Sequence, residues 1–163
     1  YGMKIYCGFL FNHESERRGV EFLSRKVCKA VAEISVRLRK KIILGNLDAK
    51  RDFGYAKEYV EWIWYIMQHP TPDDFVIATE ETHSVKEFVI EAFRHIGIDD
   101  WESYIEYDPK FMRPAEVDLL IGDASKSKRI LGFEAKVKFP ELVKIMMEYE
   151  LKQLVKTDKL LNY

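Results

Sequence analysis

The spacing of apolar positions changes several times along the chain, and each change marks an element. Residues 4–11 (KIYCGFLF) form a continuous apolar run rich in aromatics and bounded by polar residues, the pattern of a strand buried on both faces of a parallel sheet. The run stops abruptly at NHESERRG. Between 20 and 39, Leu23, Val27, Ala30, Val31, Ile34 and Leu38 recur at steps of three and four, which predicts a helix with one apolar face. Residues 42–44 read as a short strand stopped by Gly45-Asn46. Helical spacing returns over 55–68 through Tyr59, Val60, Ile63 and Met67, and His69-Pro70-Thr71-Pro72 ends it. Residues 75–78 predict another buried strand. Ser84 and Glu87 form a capping box, followed by the apolar face Val85, Phe88, Val89, Ala92, Phe93 and Ile96, with Gly97 at the position after the helix end. Farther on, 104–107 reads as a strand, Asp123 caps a helix ending before Gly132, and Pro140 opens a helix through Leu142, Val143, Met146 and Tyr149.

Strands alternating with helices indicate an α/β protein with a largely parallel sheet. Such sheets bind ligands at the carboxyl ends of their strands, and NHES stands just past the end of the first run. At 163 residues, 47% hydrophobic and 33% charged, the composition is that of one soluble globular domain and excludes disorder and fibre. The longest apolar stretch, WIWYIM at 62–67, is far short of the roughly 20 residues of a membrane span. No signal peptide opens the chain. Cys7 and Cys28 read as two reduced core thiols of a cytoplasmic protein. Trp62 and Trp64 read as core or interface. The chain starts at Tyr1 and enters an apolar run almost at once, as a piece of a longer polypeptide would.

Net charge is −1 but uneven: residues 17–51 hold eleven Lys/Arg against three acids, +8, so the remainder carries −9. That asymmetry points to an anionic ligand. Lys29, Arg37, Arg39, Lys40 and Lys41 read as a solvated basic helix face. A basic patch also admits nucleic acid, although neither an RNA-binding aromatic signature nor a zinc-finger spacing occurs. His13 beside Glu14 lacks the further ligands a metal needs.

FNHESERRG at 11–19, LGNLDAKRDFGYAKEYV at 44–60, FVIATEETHSVKEF at 75–88 and RPAEVDLLIGD at 113–123 resemble successive signatures of the GDP-mannose 4,6-dehydratase family, extended short-chain dehydrogenases/reductases. They stand in the family's order and at about its spacing. The resemblance implies the carboxyl-terminal part of a Rossmann-type α/β fold: a single region, 1–163, with the small substrate-binding domain, and strands near 4–11 and 75–78 belonging to the Rossmann sheet. The implied activity is a lyase using NADP to convert GDP-mannose to GDP-4-keto-6-deoxymannose and water, on the way to GDP-fucose or GDP-rhamnose. The family's glycine-rich turn, catalytic Thr and Glu and Tyr-x-x-x-Lys pair precede the strand with which this chain begins. The eight glycines here form no GxGxxG, and no tyrosine has a lysine four residues later. A tyrosine is a poor base at neutral pH without a neighbouring cation, so the 163 residues are expected to be inactive alone. A stand-alone nucleotide-sugar-binding module is the alternative.

The resemblance also assigns residues. Lys26, Arg51 and Arg113 stand where the family contacts the nucleotide diphosphate and ribose, a chemistry suited to their charges; Leu23 stands on the substrate side with them. Glu116 stands where an acid accepts from ribose hydroxyls, and it also suits Arg113 as a partner three residues back. Asn12 stands near the sugar. His13, Arg17 and Arg18 stand on the cofactor side, their loop reaching a neighbouring subunit's NADP in a homo-oligomer, a tetramer; pairing with Glu14 and Glu16 is the competing role for the arginines. Two departures matter. The family usually has proline at the place of Glu16. Glycine is usual at the place of Glu80, so a turn that needs positive φ would change there.

Overall fold

A computed structural model of the chain describes residues 1–111, 117 and 119–161, with side chains to residue 156. In order it has β1 (Cys7–Leu10), β2 (Asn12–Glu14), α1 (Leu23–Ser35), β3 (Ile42–Leu44), β4 (Lys50–Arg51), β5 (Phe53–Tyr55), α2 (Ala56–Gln68), β6 (Asp74–Ile77), β7 (His83–Ser84), α3 (Val85–His95), β8 (Ile105–Tyr107), α4 (Ser125–Leu131) and α5 (Phe139–Leu161). Three strand pairs are parallel: β1 with β6, β2 with β5 and β3 with β8. One short pair, β4 with β7, is antiparallel. The predicted α/β class with largely parallel strands is what the chain adopts.

Two clusters of buried side chains hold it. In the larger, Val27, Val31 and Ile34 of α1 meet Phe88, Val89 and Phe93 of α3 and Leu142, Val143 and Met146 of α5, over Ile42 and Leu44 of β3. The smaller joins Tyr59, Trp62 and Ile66 of α2 to Phe75 and Ile77 of β6 and to Phe133. Each helix in the larger cluster gives a three- and four-residue stripe to a common core, the packing its periodicity foretold. The Ser84–Glu87 capping box forms, with Ser84 Oγ accepting from Glu87 N at 3.0 Å.

Both α1 and α3 end in the same hydrogen-bond pattern. Leu38 N donates to Glu33 O and Arg37 N to Ile34 O, as Ile98 N does to Phe93 O and Gly97 N to Arg94 O. This motif places its penultimate residue in the left-handed region, where glycine is favoured. Gly97 is there at φ 72°, and Arg37 occupies the equivalent place at φ 61°.

Several expectations are corrected. Helix α1 stops at Ser35, and Leu38, beyond that turn, is 73% exposed rather than on the apolar face. On α2 the buried residues are Tyr59, Trp62 and Ile66, while Val60, Ile63 and Met67 are exposed. Lys57, Glu58, Glu61 and Gln68 take one side of that helix and leave an apolar arc wider than its contact, so its seat on Phe75 and Ile77 of β6 decides which part of the arc is buried. Strand β1 is not buried on both faces: Phe9 is 56% exposed, because among the described residues β1 pairs with β6 alone. Cys28 is a buried thiol whose acidity burial suppresses, but Cys7 is exposed beside Asp74 and is not a core thiol.

Candidate functional site

A groove of about 300 Å³ opens where the carboxyl ends of β2 and β3 face the first turn of α1 and strand β4. Asn12, Arg18, Leu23, Lys26 and Arg51 all line it, although 39 positions separate the first from the last. Chain direction explains the gathering. Parallel strands deliver their carboxyl ends to one side, and the loops that leave them carry the polar residues there. Phe53, Val85 and Phe111 supply the apolar part of the wall.

Each cation is held by a backbone or acidic partner. Lys26 Nζ donates to Ile43 O at 2.8 Å and lies 4.1 Å above the Phe111 ring; partial burial, with the charge of Arg39, holds its ammonium below the usual lysine value. Arg51 Nη1 donates to the carbonyls of Lys50 and Val117. Arg18 Nε lies 3.2 Å from Glu14 Oε2, and its guanidinium covers the Phe22 ring at 3.9 Å. Gly45 lets β3 reach the groove: a Cβ there would run into the carbonyl of Phe111.

Two buried carboxylates stand beside the cations: Glu14, which the sequence offers only as a partner for the arginines or a lone metal candidate, and Asp52, which it does not single out. Glu14 ends β2 and accepts the Ser24 hydroxyl at 2.5 Å. Burial pushes its carboxyl above the ordinary glutamate value, although Ser24, Arg18 and His13 pull the other way. Asp52, fully buried next to Arg51, accepts from Thr79 N, Thr79 Oγ1, Glu80 N and Gly122 N. It fixes the β4–β5 corner on which Arg51 stands. The signal for both was an acid placed among groups that fold inward, NHES for one and RDF for the other, which a single sequence does not tell from a surface acid.

The turn after β6 keeps its left-handed residue without glycine. Glu80 takes φ 63° and its Oε1 accepts from Ala124 N at 3.1 Å. The expected alteration of that turn does not occur, because the side chain bonds to the backbone ahead of α4.

His13 and Arg17 do not line the groove. The His13 ring stacks on Tyr59 at 5.1 Å, its Nδ1 2.9 Å from Phe11 O, while Arg17 is exposed on the loop after β2. Arg18, on the same loop, lines the groove and pairs with Glu14. Arg113 and Glu116 lie outside the described residues. The basic side chains at the end of α1 are turned outward, with Arg39 on Glu33 and Lys41 on Ser103 O. Trp62 is core, stacked on Tyr59, and Trp64 is 58% exposed. A second hollow of about 390 Å³ shares Leu44, Gly45 and Asn46 with the groove and is walled by Trp101 and Lys86. None of the anticipated residues that the structure describes lines it. Among the described residues no group of three or more His, Cys, Asp or Glu side chains could hold a metal ion. No described helix is long and apolar enough to cross a membrane.

The fold has a clear counterpart among solved structures. RMD from Pseudomonas aeruginosa, complexed with NADPH, superposes with a TM-score of 0.84 at 15% identity, over 93% of this chain and 50% of that one, a likeness of fold. Parallel strand pairs under helices, with a polar groove at their carboxyl ends, are the arrangement of a Rossmann-type α/β fold. Within that class the family model described as GDP-mannose 4,6 dehydratase matches residues 1–146, and the chain belongs to that family. It is 48% identical to GDP-mannose 4,6 dehydratase 1 of Arabidopsis thaliana over 99% of its own length and 44% of that protein's. The human GDP-mannose 4,6 dehydratase is 43% identical over 97% and 46%. The chain spans about half the length of the curated relatives it matches.

Proposed function

We propose that these 163 residues are the substrate-binding, carboxyl-terminal half of a GDP-mannose 4,6-dehydratase, and that the groove takes GDP-mannose. The observation that carries this reading is the convergence of Lys26 and Arg51 with Asn12 and Leu23 on one groove. Arg51 offers a planar fork of donors and Lys26 a compact charge, both suited to a diphosphate. Leu23 and Phe53 offer apolar surface beside them. Arg113 and Glu116 join this set on the strength of the family motif, for the diphosphate and the ribose hydroxyls.

The reaction moves a hydride from C4 of the hexose, eliminates water across C5–C6 and returns the hydride to C6, so no net oxidation occurs. A nicotinamide cofactor, NADP in this reading, supplies the hydride acceptor when bound. Arg17, exposed on the loop after β2, Arg18 on the same loop and His13 within β2 suit an anionic cofactor approaching that loop. The 163 residues contain neither a glycine-rich cradle nor a Tyr-x-x-x-Lys pair, so the main cofactor site and the catalytic base belong to the remainder of a family-length polypeptide. The role of this half is to bind and orient the nucleotide sugar, with Asn12 at the hexose end. A homo-oligomer, a tetramer, follows from the same reading, and so does a cytoplasmic location with neither nucleic acid nor membrane as partner.

Calorimetric titration tests this. GDP-mannose should bind the complete polypeptide, and Arg51→Ala should weaken it by about 1.5–3 kcal/mol, the worth of hydrogen bonds to charged groups. The 163-residue chain with added NADP should show no turnover. Unchanged affinity in Arg51→Ala would remove the diphosphate from this groove.

A further inference from the structure

Strand β2 serves two faces of the molecule. Successive side chains of a strand point to opposite sides. Asn12 and Glu14 line the groove, while His13, between them, turns the other way, onto Tyr59 of α2. Two constraints fix the His13 ring there. Its Nδ1 lies 2.9 Å from Phe11 O; a carbonyl only accepts, so Nδ1 carries a proton and Nε2 is the nitrogen left over. The Tyr59 ring lies against its face, with centroids 5.1 Å apart and planes 27° from parallel. Tyr59 is itself stacked on Trp62 at 5.3 Å and 20°, and Trp62 meets Phe133 edge-on. The stack sets the plane of the imidazole and the hydrogen bond sets its rotation within that plane, so Nε2 points in one direction.

A missing side chain makes room for this stack. His13 pairs with Gly54 across the parallel strands β2 and β5, and a Cβ on Gly54 would run into the Tyr59 ring, 2.6 Å from its hydroxyl. Tyr59 therefore fills the side-chain space of the residue that stands beside His13 in register, the place from which a ring can lie against the imidazole. Tyr59 is 1% exposed, so it offers no surface to a ligand. Its hydroxyl is buried and has no hydrogen-bond partner among the described residues. Burial first, then the charges of Asp52, Glu58 and Glu14, push that phenol far above the usual tyrosine value. What Tyr59 gives His13 is its ring, a contact that aromatic faces favour.

We infer that Tyr59 is a positioning residue for the nicotinamide cofactor: through the stack it holds the His13 imidazole in the orientation that meets the cofactor, without touching the cofactor itself. The inference rests on the reading that His13 stands on the cofactor side.

NADP is the probe, titrated calorimetrically into the complete polypeptide freed of nucleotide. The proteins compared are wild type, His13→Ala, Tyr59→Phe, Tyr59→Leu and the double variant of His13→Ala with Tyr59→Leu, and GDP titration and thermal unfolding accompany each. His13→Ala should weaken NADP binding on the order of tenfold, the scale of one hydrogen bond to a charged group. Tyr59→Leu, which keeps an apolar side chain but no ring, should lose about as much. Tyr59→Phe keeps the ring and should bind NADP as wild type does, unfolding at or above the wild-type temperature because it drops an unpaired buried hydroxyl. GDP affinity should stay at the wild-type value in every variant, because the groove lies on the other face of β2. The double variant should bind NADP as His13→Ala does, since Tyr59 acts through His13. If Tyr59→Leu does not fold, Tyr59→Met takes its place with the same expectations. Wild-type NADP affinity in Tyr59→Leu, an equal loss in Tyr59→Phe, a parallel loss of GDP, or losses that add in the double variant would overturn the positioning role alone. Wild-type NADP affinity in His13→Ala would overturn the cofactor-side reading of His13 and the inference with it.

Discussion

Asp52 Oδ1 accepts both the backbone N–H and the hydroxyl of Thr79, at 2.9 and 2.6 Å. With Oδ2 accepting from Glu80 N and Gly122 N, one fully buried carboxylate closes the β4–β5 corner, the turn after β6 and the segment before α4 into a single unit. The cation next to it in sequence, Arg51, projects into the groove from that unit.

Asp52→Ala would leave those donors unsatisfied in the interior, and an unsatisfied buried partner costs more than the bond was worth. We predict a loss of at least about 3 kcal/mol of stability, by analogy with breaking other buried charged networks. Urea unfolding of the complete polypeptide measures it. A loss below 1 kcal/mol, about the worth of one ordinary hydrogen bond, would show that the unit is held together by packing instead.

Glu80 carries two opposing effects. Its left-handed backbone costs a residue with a side chain about 1–2 kcal/mol, while its bond to Ala124 N returns a similar amount. Glu80→Gly, which removes both, should change stability by no more than about 1 kcal/mol. Glu80→Ala keeps the strain and loses the bond, and should destabilise by about 1 kcal/mol. Denaturation midpoints that rank alanine above glycine would refute this balance.

Arg37 and Gly97 occupy the same place in the same helix-ending motif, at φ 61° and 72°. Arg37→Gly should therefore stabilise by up to about 1 kcal/mol and Gly97→Ala destabilise by about as much. Arg37→Ala, for its part, should leave GDP-mannose affinity unchanged, since Arg37 lies at the far end of α1 from the groove. Thermal melts and one titration check all three. A binding defect in Arg37→Ala equal to that of Arg51→Ala would move the binding element to the basic end of the helix.

Burial, the largest influence on Glu14, raises its carboxyl above the usual glutamate value. Between its unfolded and its raised folded value the native chain holds the extra proton, so the contribution of this group to stability falls as pH rises through that window. Glu14→Gln does not titrate there. The stability of wild type relative to Glu14→Gln should accordingly be greatest at acid pH and decline toward neutrality, read from urea midpoints across that range. A difference that grows with pH instead would mean that Arg18 and Ser24 outweigh burial.

Short-range chemistry made much of this protein readable from its sequence. The Ser84–Glu87 box, the stop at Gly97, strand Ile42–Leu44 and the stripe Leu142, Val143, Met146 each depend on residues within a turn or two of one another, so local spacing determined them. Motif order carried the family and nominated Asn12, Lys26 and Arg51. What spacing left open were the questions whose answer lies on another segment. Helix α2 is apolar on most sides, and only its seat on β6 buries Trp62 and Ile66 and leaves Val60 and Met67 outside. Phe9 and Cys7 read as interior until strand pairing is known, because burial belongs to the neighbours of a strand. Glu14 and Asp52 look like ordinary acids in sequence. They become interior anchors because Ser24, Thr79 and Gly122, ten, 27 and 70 positions away, arrive with donors, and a buried carboxylate persists only where such donors meet it.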